Sequence, residues 1–292
     1  MTYAYTLIIP VYSTDTAMPK IALIGAGGKM GFRLSRNLQP AAYDVRHVEV
    51  SEAGQAMLQT ELGIDCVPAE VALEGADAVI LAVPDTLIGK VSAGIEPQLA
   101  AGTMVITLDA AAPFAGHLPA RDDLVYFVTH PCHPPIFNDE TTPEARHDHF
   151  GSLHAKQSIV SALMQGPDEA FALGEEIARV IYAPILRSHR VTVEQMALLE
   201  PGLSETVCAT LMTVMREAMD EVIKRGVPAE AARDFLIGHM NILGAVVFDE
   251  IDGVFSDACN KAIEQGKSRL LQADWKSVFE REQVAESIRR IT

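Results

Sequence analysis

Cysteine, aromatic side chains and positive charge are all scarce in this chain of 292 residues. The four cysteines, Cys66, Cys132, Cys208 and Cys259, form no C-x-x-C pair and are too few for a disulfide framework. Reduced thiols and a cytoplasmic setting are therefore expected. Only 23 lysines and arginines stand against 39 aspartates and glutamates, a net charge of −16. That balance argues against nucleic acid or an anionic membrane as a partner, while leaving room for a local basic pocket. No apolar run is long enough to span a bilayer. The opening MTYAYTLIIPVYSTDTA has a short apolar run without a positively charged flank, so residues 1–17 read as an N-terminal extension rather than a signal peptide. Repeats and low-complexity tracts are missing as well. What is plentiful is apolar side chain, 49% against 21% charged, the balance of a globular protein with a real core and of a length that suits two domains.

The apolar residues come in short runs separated by helical patterns. KIALIG (20–25) reads as a buried strand running into a glycine-rich turn, and a helix from about Lys29 follows with Met30, Phe32, Leu34 and Leu38. DVRHVEVS (44–51) alternates like a second strand, AGQAMLQTEL is helical, and IDCV reads as a short strand after it. ADAVILAVP (76–84), TMVITLD (103–109) and LVYFVTH (124–130) are further strands, with a helix between the first two. Such alternation predicts an α/β fold, a Rossmann-type doubly wound parallel sheet. Beyond His130 a proline- and histidine-rich loop precedes one more strand, QSIVSALMQG, and from Asp168 onward the pattern is helical. The expected division is a dinucleotide-binding domain over 18–165 and an all-helical substrate and dimerisation domain over 166–292. Apolar stretches such as NILGAVVF suggest a homodimer.

Gly25, Gly27, Gly28 and Gly31 lie between a predicted strand and a predicted helix, the context that a dinucleotide fingerprint requires. Gly25 permits the tight turn, Gly27 or Gly28 lets backbone approach a pyrophosphate, and Gly31 lets the helix pack closely. The free N–H groups at the helix start, with Lys29 and Met30 beside them, favour the pyrophosphate charge. At the end of the second strand Glu52 is placed to bind the ribose hydroxyls. Glu49 competes, but the alternation of Val48 and Val50 turns it away. An acid there favours NAD over NADP. Val83, Pro84 and Asp85 should border the nicotinamide side of the crevice.

Thr129-His130-Pro131-Cys132-His133-Pro134-Pro135 follows a strand and so lies at the carboxyl edge of the sheet, where ligands bind. A histidine there can act as general base toward a substrate hydroxyl. Two histidines three apart in a stiff loop can also hold a divalent metal. In the second domain Glu194, Glu200 and Glu205 punctuate an apolar helix. Glu194 and Glu205, eleven apart or about three turns, share a face, and Pro201 should disturb the helix beside Glu200.

The GAGGKMG turn, ADAVILAVPD, the THPCHPP loop and EQMALLEPGLSET together resemble the D-apionate oxidoisomerase family, within the oxidoreductases related to 6-phosphogluconate and prephenate dehydrogenases. The resemblance runs from Met18 to the C-terminus. It implies NAD-dependent oxidation of a small branched sugar acid, D-apionate to 3-oxo-isoapionate, with migration of the carboxylate to the neighbouring carbinol carbon. It further implies His130 as the catalytic histidine, with His133 and Glu200 as ligands of a divalent metal, zinc or magnesium. The His-Pro pair also resembles that of prephenate dehydrogenases, which need no metal. The lysine–asparagine pair of the decarboxylating 6-phosphogluconate and β-hydroxyacid dehydrogenases is absent. A prephenate- or hydroxyacid-type dehydrogenase without isomerisation, and a regulator that binds NAD without turnover, are the competing readings.

Overall fold

The apolar runs pair into one seven-stranded sheet, seen in a computed structural model that describes residues 18–292. The extension expected over residues 1–17 lies outside the described residues. The strands are β1 (Lys20–Ile24), β2 (Asp44–Val48), β3 (Ala78–Leu81), β4 (Met104–Thr107), β5 (Val125–Pro131), β6 (Gln157–Gln165) and β7 (Ile185–Arg190). Their spatial order is β2-β1-β3-β4-β5-β6-β7. All neighbours run parallel except β5 and β6, which are antiparallel. The chain leaves β1 toward β2 and returns to place β3 on the other flank. The crevice beyond the ends of β1 and β3 is therefore a topological switch point.

Burial on both faces explains why the central strands read as unbroken apolar runs rather than alternating ones. Leu23, Ile80, Ile106 and Phe127 pack with Leu34, Leu38, Ile177 and Tyr182 on one face. Ala22, Val79, Leu81 and Val105 pack with Ile88 and Tyr126 on the other. Each large side chain so buried contributes about 1.5–3 kcal/mol relative to exposure.

Three expectations are corrected. IDCV makes only an isolated bridge between Cys66 and His47. ILRSHR, within a stretch expected to be almost wholly helical, forms β7 beside β6. It is an edge strand with mostly exposed, polar side chains, so no apolar run marks it. Helix Ala170–Ile181 packs on the sheet and β7 completes it, so the sheet extends past the boundary expected between 165 and 166.

Beyond Arg190 every described element is helical. Val193–Ala197, Leu198–Ala209 and Thr210–Lys224 follow one another without a break, then come Ala229–Val247, Asp257–Leu270 and Arg281–Ile291. Val284 and Ile288 of the last helix pack on Ala111 and Ala197, tying the chain end back to the sheet. By contrast Phe235, Val247, Phe248, Val254 and Leu270 stay exposed. No helix among the described residues is long and apolar enough to cross a membrane.

Candidate active site

The glycine turn sits at the carboxyl end of β1. Gly25 has φ +81°, a left-handed conformation, and a Cβ there would stand 2.5 Å from the carbonyl oxygen of Ala82. Helix Lys29–Leu38 begins without a side-chain cap after Gly28, which leaves backbone N–H groups pointing outward. A Cβ on Gly31 would lie 2.0 Å from the carbonyl oxygen of Gly25, so helix and turn touch backbone to backbone. Gly27 meets Gly54 of the next helix at comparable range. Lys29 is exposed, with its ammonium 4.7 Å from the ring centre of Phe150, while Met30 is half-buried against the core.

The acid at this turn is Glu49, not Glu52. One Glu49 carboxylate oxygen accepts from the Gly27 amide at 2.8 Å and the other from the Ser51 amide at 2.8 Å. Glu52 is exposed in the first turn of helix Glu52–Leu62. Strand alternation does not orient Glu49, because β2 ends at Val48. Past that point the chain turns, and the two-residue period no longer decides which way a side chain faces.

Across the crevice, Val83 is half-buried and Pro84 exposed as β3 gives way to helix Asp85–Ile95. Burial and the charge of Asp109 push the Asp85 carboxyl up to about 6, against the lowering pull of His130. His130 lies in β5 at the sheet's carboxyl edge. Its Nδ1 is 2.8 Å from the Leu108 carbonyl oxygen. Only a protonated nitrogen can bond a carbonyl, so Nδ1–H donates, and in the neutral ring Nε2 carries the lone pair. That lone pair faces Glu200 Oε2 at 3.3 Å. Asp109 Oδ2 lies 3.6 Å from Nδ1, and Asp109 Oδ1 accepts from the Ala111 amide.

Asp109, His130 and Glu200 thus present ligand atoms within 4.8 Å of one another. Two acceptors facing each other in a half-buried cleft are unfavourable unless a proton or a cation lies between them. The donor set of one imidazole and two carboxylates suits a divalent cation. His133 is not in this group. Its backbone is left-handed, φ 61°, and its Nδ1 donates to the Phe150 carbonyl at 2.8 Å. Its ring stands edge-on to that of His130, centroids 6.2 Å apart. Among the described residues it is Asp109, His130 and Glu200 whose ligand atoms come together, rather than His133 and Glu200. In the sequence Asp109 closes the run TMVITLD as though part of a strand, which hides it as a site residue. The usable signal was an acid at the carboxyl end of a buried strand, the edge that also carries Asp85 and His130.

The loop after His133 is held from below by Asp148. Its carboxylate accepts from the amides of Gly151, Leu153, His154 and Ala155, which keeps its pKa below the usual range despite burial. The same loop presents Phe150 to Lys29 and Arg33 on the dinucleotide-turn helix. The histidine loop and the glycine turn are thus docked on each other.

A glycine turn at a switch point, faced across the crevice by a histidine and carboxylates at the ends of neighbouring strands, defines a Rossmann-type oxidoreductase. Residues 20–111 match the family described as NADP oxidoreductase coenzyme F420-dependent. Residues 138–292, more than half of the chain, match phosphogluconate dehydrogenase (decarboxylating) C-term. A D-apionate oxidoisomerase of Rhizobium rhizogenes is 70% identical over 275 residues, covering 94% of this chain and all of the relative. One from Cupriavidus necator is 72% identical, covering 94% and 99%. A crystal structure described as a semialdehyde dehydrogenase NAD-binding protein from Cupriavidus necator, in complex with calcium and NAD, is 72% identical. It superposes with a TM-score of 0.93 over 94% of this chain and 99% of that one. The chain belongs to the D-apionate oxidoisomerase family.

Proposed function

We propose that this protein oxidises D-apionate with NAD and rearranges the resulting ketone to 3-oxo-isoapionate. The observation that carries the reading is His130, its Nδ1–H fixed on the Leu108 carbonyl and its Nε2 turned toward Glu200 beside Asp109. NAD, when bound, supplies the hydride acceptor. The N–H groups after Gly28 hold its pyrophosphate, Glu49 takes the ribose hydroxyls, and Val83 to Asp85 border the nicotinamide. His130 Nε2 accepts the proton of the C2 hydroxyl as the C2 hydride leaves.

Electron count then decides what migrates. The product of oxidation has a ketone at C2 and a tertiary alcohol at C3. A group moving with its bonding pair must leave the carbinol carbon and attack the electrophilic ketone carbon, so a hydroxymethyl moves from C3 to C2. The C3–OH loses its proton and becomes the new ketone, while the old ketone oxygen gains a proton. This yields 3-oxo-isoapionate with atoms balanced, and it replaces the carboxylate migration first expected. A divalent cation held by the carboxylates of Asp109 and Glu200 would supply Lewis acidity to the two neighbouring oxygens, leaving the single Nε2 lone pair of His130 for the proton. Carboxylates at Asp85 and Glu205 add negative charge that favours such a cation.

The sheet unit through Arg190 holds the dinucleotide, and the helices beyond it complete the substrate pocket and form a homodimer. Two features support the dimer. The exposed apolar residues of 210–270 are more than a monomer ordinarily leaves uncovered. A cavity of about 580 Å³ between helices Thr210–Lys224 and Ala229–Val247 is also lined by Met219, Val222, Phe235 and Leu243. The free thiols agree with a cytoplasmic enzyme.

NADH absorbance with D-apionate, NAD and a divalent cation tests the function. Turnover is expected, lost on chelation and restored by the cation. A folded, NAD-binding protein that makes no NADH overturns the substrate. Turnover that survives chelation removes the cation's role. The ribose assignment is separately testable, because Glu49→Gln removes a charged acceptor. Hydrogen bonds to charged groups are worth about 1.5–3 kcal/mol, so NAD affinity should fall about tenfold or more. Glu52→Gln should leave it unchanged, and calorimetric titration of NAD reads both.

A further inference from the structure

His133 stays outside the carboxylate cluster, yet much of the surrounding structure serves to hold its ring. A residue before a proline is ordinarily extended, but His133, which precedes Pro134, has φ 61°. Left-handed backbone at a residue other than glycine persists only where the surroundings over-determine it, and it gathers at active sites. Here the Phe150 carbonyl accepts from His133 Nδ1 at 2.8 Å, and the Phe150 ring lies 5.0 Å from the imidazole between centres. The turn after Phe150 is itself fixed on three sides. Asp148 accepts from four of its amides. Gln157 Nε2 donates to the Ser152 hydroxyl at 2.9 Å, and Asn37 Nδ2, on the dinucleotide-turn helix, donates to the Ser152 carbonyl at 3.1 Å.

Donation from Nδ1 sets the tautomer. In the neutral ring the lone pair of His133 is on Nε2, which has no hydrogen-bond partner among the described residues and is not buried. His130 is set the same way, with Nδ1–H on the Leu108 carbonyl. The two rings stand edge to face with centres 6.2 Å apart. Each therefore offers one basic nitrogen beside the other. With a hydrogen bond of about 2.9 Å at each end, two oxygens on neighbouring carbons can span them.

We propose that His133 is a second catalytic histidine, whose Nε2 takes the proton of the C3 hydroxyl during the rearrangement. The proposal rests on the reaction proposed above. Oxidation leaves His130 Nε2 carrying the C2 hydroxyl proton, so it has no lone pair for another. In the rearrangement the C3 O–H bond breaks, its proton passes to His133 Nε2, and its electron pair forms the new C3 carbonyl. The hydroxymethyl moves to C2 with the bonding pair that held it to C3. The π pair of the old ketone stays on its oxygen, which takes the proton back from His130. One proton remains, on His133, matching the one released for each NAD reduced.

His133→Asn separates the two steps. Its amide nitrogen can keep the bond to Phe150, asparagine accepts left-handed backbone, and the basic Nε2 is lost. The test uses protein saturated with NAD and in excess over D-apionate. NADH absorbance reads the oxidation, and carbon NMR of the quenched mixture distinguishes the 2-ketone from 3-oxo-isoapionate. NADH should form at the wild-type rate while rearrangement slows about 10²–10⁴-fold, the usual worth of a positioned base, so the 2-ketone accumulates. Rearrangement at the wild-type rate overturns the proposal. So does an equal loss of NADH and of 3-oxo-isoapionate, which marks a role in the oxidation or in holding the loop. Wild-type protein that makes no NADH, or makes NADH and only the 2-ketone, overturns the reaction proposed above and this role with it.

Discussion

Replacing His130 with alanine is expected to reduce turnover of D-apionate by about 10²–10⁴-fold, the usual worth of a positioned general base, while NAD affinity stays close to wild type. The asymmetry follows from geometry. The imidazole is held by the Leu108 carbonyl and faces Glu200 and Asp109, whereas the dinucleotide turn is built from β1, its following helix and Glu49. His130→Asn should be nearly as inactive, since an amide nitrogen carries no basic lone pair. Rates from NADH absorbance and NAD titration of the same samples check both halves. Turnover within tenfold of wild type in His130→Ala would move the base elsewhere, with Asp85 the nearest alternative. A joint loss of turnover and NAD binding would instead indicate a role in holding the crevice together.

Gly31→Ala should be as damaging, by a different route. The added methyl would meet the Gly25 carbonyl oxygen at 2.0 Å and the Ala26 carbonyl carbon at 2.8 Å. Both are backbone atoms of the turn itself, so no rotamer change relieves the clash and the helix must lift off. Overpacking costs about 1–3 kcal/mol and occasionally more; a backbone-on-backbone clash belongs at the upper end. NAD affinity should fall steeply, because the N–H groups that would receive the pyrophosphate move with the helix. Gly28→Ala is the contrast. A Cβ there lies 3.4 Å from the Gly25 carbonyl oxygen, and the residue's φ of −69° suits any side chain. The apo fold of Gly28→Ala should therefore melt like wild type, and only a loss of NAD affinity should appear. Thermal melts without NAD, followed by NAD titrations, separate the two variants. Equal melting of Gly31→Ala and wild type would mean that the helix is not packed on the turn as described.

Much of the nucleotide-binding half was legible because its signals are local. Buried parallel strands need apolar residues at every position, which marks KIALI, AVIL and MVIT without reference to the rest of the chain. A turn that must be left-handed at one residue and admit a helix backbone at another demands glycines at fixed spacing. The strand ILRSHR escaped notice for the opposite reason. At a sheet edge, pairing with β6 supplies the backbone hydrogen bonds, and exposed side chains leave little apolar signal.

The site divides along the same line. The sequence by itself determined the glycine turn, His130 at the end of a strand, and Glu200 beside a proline in an apolar helix, because each depends on its immediate neighbours. Tertiary structure decided their company. Asp109 belongs with His130 only because β4 lies next to β5 in the sheet. Glu49 displaces Glu52 because the strand stops at Val48 and the chain turns over the Gly27 amide. His133 leaves the cluster because its left-handed backbone turns its ring onto Phe150. A one-dimensional pattern records the period of a regular element, but it does not record where that element stops, bends or meets another, and those events aim the side chains.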